Sequence, residues 1–311
     1  MNDGIIGIDI SKDHLDAHAL ATGEDRRFDN TTAGIDALRD WIGADAAKIV
    51  YEPTGPYHRA LEAVLAQAGL PLVKVNPRSA RRFAEACGQL AKTDRIDARM
   101  LARMGAALDL EPRAVANETL NRLKELSVAR NALVKDRTAA RNRAHRLTIS
   151  LLRQQAAQRL KQIERQIRAV DTAIAATIDA SPEPRRKRAI LLSIPGVAET
   201  TAAAMLVEMP ELGALTAKQA ASLAGLAPVT RQSGRWTGKA CIRGGRATLR
   251  QALYMPALVA TRFNEDLAAK YQALIKAGKP PKLAITAIMR KLLIRANALL
   301  RDNRNWTENP A

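Results

Sequence analysis

The chain has 311 residues, 47% of them apolar and 26% charged, which leaves room for two domains with buried cores and excludes wholesale disorder. Its two cysteines, Cys87 and Cys241, exclude a disulfide framework and have no Cys or His neighbours at zinc spacing, and no charge-free apolar run is long enough to span a membrane. The formal net charge of +18 points to a polyanionic partner, although ten aromatic residues are few for reading single-stranded bases by stacking.

The chain opens MNDGIIGIDISKDH. This apolar run is too short for a signal peptide and carries acids where a basic leader would stand, so a reducing, cytoplasmic location is expected. Gly4–Ile10 predicts a strand ending in an acid, Leu15–Leu20 a half-buried strand, and Arg26–Phe28 a third before an Asn-Thr-Thr turn. A helix is expected at Ala33–Ile42, a buried strand at Lys48–Glu52, a helix at Tyr57–Ala68 opened by Pro56, and a strand at Leu72–Asn76 closed by Pro77. That order is the order of an α/β RNase H-like fold, expected over residues 1–112.

From Arg113 to Ser181 there is neither Gly nor Pro, and Leu126, Leu133, Ala140 and Leu147 recur every seven residues. Long helices forming a coiled-coil-like hairpin are expected over 113–181, partly lined by Arg137, Arg141, Arg143, Arg146 and Arg153. Ser181-Pro-Glu-Pro184 marks the next boundary. Residues 182–311 predict an all-α domain, with helices at Arg185–Ser193, Glu199–Met209, Thr216–Ala224, Ala247–Thr261, Glu265–Ala277 and Pro281–Arg301. The turn Ile194-Pro195-Gly196-Val197 has the helix-hairpin-helix pattern, in which backbone N–H groups hold a phosphate. An ordinary tight helical turn fits the same four residues.

Charge divides the chain as sharply as the elements do. Residues 1–115 carry a formal −2 and residues 116–311 a formal +20, as expected of a catalytic module joined to a module that grips nucleic acid. In the acidic part, Asp9 and Glu52 end apolar strands, while Asp94 and Asp97 stand three apart on a predicted helix and share a face. Several hard carboxylates converging in this way can hold divalent ions for two-metal phosphoryl transfer. Singly, each acid also suits a plainer role: a turn, a surface acid before Pro53, or a helix start capped by Thr93. In the basic part, residues 231–250 hold Arg231, Arg235, Lys239, Arg243, Arg246 and Arg250 with no acid, and glycines 234, 238, 244 and 245 make the segment a loop. Ser233 within it is placed either to attack a phosphodiester among arginines or to donate a hydrogen bond to a gripped phosphate.

Taken together, GIDISK with Asp9, YEPTGPY with Glu52, VNPRSARRFA, KTDRIDARMLA with Asp94 and Asp97, SIPGV, LAGLAPVTRQSG and LRQALYMPALVA resemble the DEDD transposases of the insertion sequence 110 family. The resemblance runs over nearly the whole chain in the family's order. It implies a RuvC-like nuclease domain, a helical coiled-coil middle and a C-terminal transposase domain. Four metal-binding acids would fall on Asp9, Glu52, Asp94 and Asp97, with Mg2+, two ions, as cofactor, and a nucleophilic serine on Ser233. It further implies a prokaryotic, nucleoid-associated recombinase guided by a structured bridge RNA, working on element ends and target DNA. Active sites composed between subunits of a dimer or tetramer are implied as well. Ala198 stands where the hairpin often has a second glycine, and Arg235-Trp236 follow Ser-Gly where small residues are frequent.

The expected function is therefore Mg2+-dependent strand cleavage and rejoining through a covalent phosphoserine intermediate. A RuvC-like junction resolvase would instead cut with metal-activated water and need no Ser233. A helix-hairpin-helix architectural protein would bind DNA without needing the acids.

Overall fold

The computed structural model describes residues 4–89, 93–112 and 118–307, which fall into two compact units, Met1–Ala116 and Asn117–Ala311. Lys92 and the expected start of the helical middle at Arg113 lie outside the described residues.

Period-two alternation builds the first unit. Strands β1 (Ile5–Ile10), β2 (His14–Ala19) and β3 (Asp25–Asp29) lead into helix α1 (Thr32–Ile42), followed by β4 (Lys48–Tyr51), α2 (Arg59–Gln67), β5 (Leu72–Lys74), α3 (Pro77–Ala86) and α4 (Asp94–Ala107). The sheet order is β3-β2-β1-β4-β5, with β1–β2 and β2–β3 antiparallel and β1–β4 and β4–β5 parallel. This mixed sheet is compatible with a RuvC-like DEDD fold.

Each face of the sheet has its own core. Ile6, Ile8 and Ile10 of β1 join Leu15, Ile35, Leu38, Ile49, Tyr51, Leu61 and Leu65 on the side of α1 and α2. Ile5 of the same strand joins Val50, Val73, Leu101, Ala102 and Met104 on the side of α4. Asp9, two and four residues on from Gly7 and Ile5, therefore lies on the α4 side. Helix α2 begins at Arg59, later than the sequence predicts, because Gly55 has φ +46° and Pro56 is drawn into a turn closed by the Arg59 amide.

Gly7 sets how closely α4 approaches. A Cβ at Gly7 would collide with the Ala98 carbonyl oxygen and the Ala102 amide, so this strand position admits no side chain. Gly105, later on α4, lies close to the Val50 side chain, with Ile5 somewhat farther off. Gly7→Ala is expected to force α4 off β1 and to destabilise the first unit by about 3 kcal/mol, the upper end for overpacking. A thermal melt of the variant beside the parent checks this; an unchanged midpoint would show that the helix moves freely.

The second unit is mostly helical. Helices α5 (Glu118–Ala144) and α6 (Ser150–Asp179) pair antiparallel, with Arg130 on Asp171 at 2.5 Å and Arg141 on Glu164 at 2.8 Å. Ala140, Ile163 and Ile167 are buried between them with Leu133 packed alongside, whereas Leu147 lies past the end of α5. Helices α7 (Pro182–Leu192), α8 (Glu199–Glu208), α9 (Ala217–Leu223), α10 (Ala247–Phe263), α11 (Glu265–Lys276) and α12 (Pro281–Arg301) share a core around Ile190, Leu191, Met205, Leu253, Ala257, Leu292 and Leu293. Leu123, Ile174 and Ile178 root the hairpin in that core.

The expected all-α character of this region needs correction. Between α9 and α10, strands β6 (Pro228–Val229), β7 (Gln232–Ser233), β8 (Trp236–Thr237) and β9 (Cys241–Ile242) form two short ribbons, β6 with β9 and β7 with β8. Gly234, at φ +55°, supplies the left-handed residue that a two-residue hairpin turn requires.

Candidate active site

Three neighbouring elements bring the four acids together. Asp9 is the next-to-last residue of β1, Glu52 directly follows β4, and Asp94 and Asp97 occupy the first turn of α4, whose N-cap Thr93 accepts a hydrogen bond from the Ile96 amide. Capping and the positive end of the helix dipole hold two carboxylates at this turn at low cost. The Asp9 carboxyl is pushed up to about 6 by its burial and then by the negative charges of Asp97, Asp94 and Glu52; the Ile10 amide opposes this without cancelling it.

Four hard oxygen donors that repel one another suit a divalent cation chemically. Among the described residues, though, no three His, Cys, Asp or Glu side chains are grouped closely enough to hold an ion as they lie. Asp94 is held instead by a cation of the protein itself, Arg27 Nη2 at 3.4 Å.

Arg27 belongs to a polar seam that the sequence pattern alone does not single out. On β2, Asp16 and His18 alternate with Leu15 and Ala17, and on β3 Asp25 and Arg27 alternate with Phe28 on the other face. The register places Asp16 beside Arg27 and His18 beside Asp25, all on the α4 side. Arg27 grips Asp16 with both ends of its fork, at 3.0 and 2.8 Å. His18 Nδ1 lies 2.7 Å from Asp25, whose other oxygen accepts from Arg99 of α4, also at 2.7 Å. Burial works against the Asp25 anion, but His18 and Arg99 together hold its carboxyl below the usual range. The polar half of each strand's alternation was the available signal.

Behind Glu52, Tyr51 donates to buried Glu62 of α2 at 2.5 Å, and Lys74 of β5 closes an ion pair on the same carboxylate. These contacts tie the end of β4 to its neighbours.

Ser233 is in the second unit, exposed on β7, directly across from Trp236. Arg231, Arg235, Lys239 and Arg243 flank the ribbon strands in the chain and are likewise exposed. Arg246 and Arg250, expected with them, are engaged at the neck of the loop: Arg246 forks onto Glu211 at 2.7 Å and donates to the Glu208 carbonyl, and Arg250 donates to the Ala224 and Gly244 carbonyls. At that neck Gly225 and Gly245 pass so closely that a Cβ on either would meet the other strand's backbone.

A transposase family model matches residues 6–155, and a model for the transposases of the IS116/IS110/IS902 family matches residues 188–272. The pilin gene-inverting protein of Moraxella bovis is 31% identical over 319 residues, covering 98% of both chains. The chain belongs to the IS110 family of transposases. It is accordingly a DNA transposase or recombinase. The counterpart from Moraxella lacunata matches to the same extent, and an insertion element IS110 protein of Streptomyces coelicolor is 31% identical over 157 residues, 50% of this chain and 38% of its own. In this IS110-family transposase the first matched segment contains all four acids and the second contains Ser233. Among the described residues, no helix is long and apolar enough to cross a membrane.

Proposed function

We propose that the protein cuts and rejoins the DNA strands of an insertion element, with Asp9, Glu52, Asp94 and Asp97 as ligands of divalent metal, Mg2+, and Ser233 as the nucleophile. The observation that carries this reading is the convergence of three other carboxylates on Asp9, whose charges add to its burial in raising its titration. A cation bound there would act as a Lewis acid on the phosphate. The chain's own contribution is positional. The Thr93 cap and the close approach at Gly7 fix the backbone of α4 against β1, and with it the positions from which Asp94 and Asp97 reach toward the strand acids. Ser233 presents its hydroxyl on a narrow ribbon among guanidinium groups suited to stabilising a phosphorane. The domain division into 1–112, 113–181 and 182–311 belongs to this reading, as do a dimeric or tetrameric assembly and a helix-hairpin-helix role for the turn at Gly196.

Incubating end-labelled element DNA with Mg2+ or with EDTA tests the reading: cleavage is expected with Mg2+ alone, and cleavage in EDTA would overturn it.

The charge of +20 on residues 116–311 supports nucleic-acid binding there. It also supports a structured RNA as the reader of sequence, since its basic residues are spread along helices and loops. Replacing Arg231, Arg235, Lys239 and Arg243 together by Ala is expected to weaken DNA binding and to flatten the plot of log affinity against log salt. The slope should fall by about 0.9 for each phosphate that the protein no longer neutralises. Fluorescence anisotropy across a salt series measures this; an unchanged slope would mean that these side chains do not touch phosphate.

A further inference from the structure

We propose that Arg27 is a positioning residue that latches the acid site: anchored on buried Asp16, it holds Asp94 and competes with a divalent cation for that carboxylate. The inference rests on the reading that the four acids hold a cation.

Asp16 is the anchor of the arrangement. Its register partner on β1 is Asp9, so the two carboxylates project side by side from the same face of the sheet, and Asp16 is 4% exposed. A buried carboxylate next to another carboxylate requires a fixed positive partner. Arg27 is that partner, gripping both oxygens of Asp16 while remaining half-exposed. The same Nη2 that sits 2.8 Å from Asp16 reaches Asp94 at 3.4 Å. The geometry is unequal. Asp16 is held by a short two-point grip, and Asp94 by a single long approach that can be given up without stranding the guanidinium.

A second tie keeps the helix in place when the first lets go. Arg99, five residues along α4 from Asp94, is bound to Asp25, which His18 secures to β2. Five residues of helix rise about 7.5 Å and two of strand about 6.6 Å, so the pairs Asp94–Arg99 and Asp16–His18 run nearly in step. Helix α4 is thus strapped to the sheet edge at two points, one permanent and one releasable. Occupation of the site by a cation would draw Asp94 from Arg27, while Arg27 keeps Asp16 neutralised and out of the ligand set.

A latch of this kind makes two substitutions act in opposite directions. Arg27→Ala removes a competing positive charge and frees Asp94, so cation binding should tighten. Asp16→Asn frees Arg27 to engage Asp94 fully, so cation binding should weaken. A seam of purely structural importance would weaken binding in both.

The experiment titrates the full-length protein with Mn2+, following free ion by electron paramagnetic resonance. Arg27→Ala is expected to lower the midpoint about fivefold and Asp16→Asn to raise it by a similar factor, the size of an exposed ion pair. The double variant Asp16→Asn with Arg27→Gln has no arginine left to engage Asp94, so it should stay on the tight side of the parent, with Arg27→Ala; a return to the parent midpoint would mean that the two charges act independently and would overturn the latch. Arg27→Gln serves alone if Arg27→Ala does not fold, as judged by circular dichroism. Shifts of the same sign, or none, would overturn the latch. If the parent binds no Mn2+, or binds it equally well as Asp9→Asn with Asp97→Asn, the acid-site reading itself falls and takes the latch with it.

Discussion

Asp9→Asn is expected to abolish Mg2+-dependent strand cleavage and, in the same protein, to raise the melting temperature measured in EDTA. Both effects have one cause. The Asp9 carboxyl titrates at about 6 because burial and the charges of Asp97, Asp94 and Glu52 disfavour its anion. Its ordinary value is 3.8, so between these two pH values the folded chain holds a proton that the unfolded chain releases. Stability from this group therefore falls as pH rises through that window and stays low above it. Allowing for partial solvent access, the anion costs about 2 kcal/mol at pH 7. Asn removes that cost along with the ligand. The gain of the variant over the parent should be largest near pH 7.5 and vanish near pH 4, as scanning calorimetry in chelator would show. DNA binding should be unchanged or tighter, since a negative charge facing phosphate has gone. A variant that still cuts would remove Asp9 from the site; one no more stable than its parent would mean the repulsion is relieved elsewhere.

Ser233→Ala is expected to eliminate a covalent protein–DNA adduct. In the proposed step the serine oxygen bonds to phosphorus, the phosphorus–oxygen bond to the leaving strand breaks, and the serine proton leaves with a base or with the departing oxygen. Serine is a weak nucleophile at its free pKa and needs activation. No histidine lies between residues 146 and 311, so the ribbon's own region lacks the usual general base, while its guanidinium groups would stabilise the phosphorane in the proposed step. Labelled DNA incubated with Mg2+ and denatured in SDS should carry the protein in the parent and not in Ser233→Ala, with cleavage reduced about a thousandfold or more. The acid variants should lose the adduct too. Because Ser233 is exposed, the substitution should leave helical content and melting unchanged, which separates a chemical loss from misfolding. Normal products without adduct would make water the nucleophile and favour the resolvase reading.

What is legible in the sequence follows from the range of the signals. Asp9 and Glu52 stand out because each closes an apolar run that must be a buried strand, and Asp94 and Asp97 because Thr93 announces a helix start and three-residue spacing shares a face. The convergence of all four depends on the strand order β3-β2-β1-β4-β5, for which the order of elements in the chain is a sound guide. Arg27 escapes notice for a different reason. Its partner Asp16 lies eleven residues away on another strand, and a change of one residue in register would turn the arginine to the opposite face. The serine ribbon reads as a loop because strands of two exposed residues leave no apolar alternation to detect. Arg246 and Arg250 look like their basic neighbours, and their tertiary partners Glu211, Glu208, Ala224 and Gly244 alone distinguish them.

The neck formed by Gly225 and Gly245 has a consequence for how this protein can vary. Most of what fixes the neck is outside the ribbons it supports: Arg246 on Glu211, Arg250 on the Ala224 carbonyl, and the Arg246 amide on the Leu223 carbonyl, with only the Gly244 carbonyl drawn from the segment itself. Leu226 is still packed in the helical core, and residues 228–243 beyond it leave and re-enter through a closed gate, so the core places little demand on their length. Lengthening or exchanging that segment changes the reach of the serine without asking α9 or α10 to repack. The ribbon is thus the part of the chain where an engineer can insert or trade residues at least risk to folding.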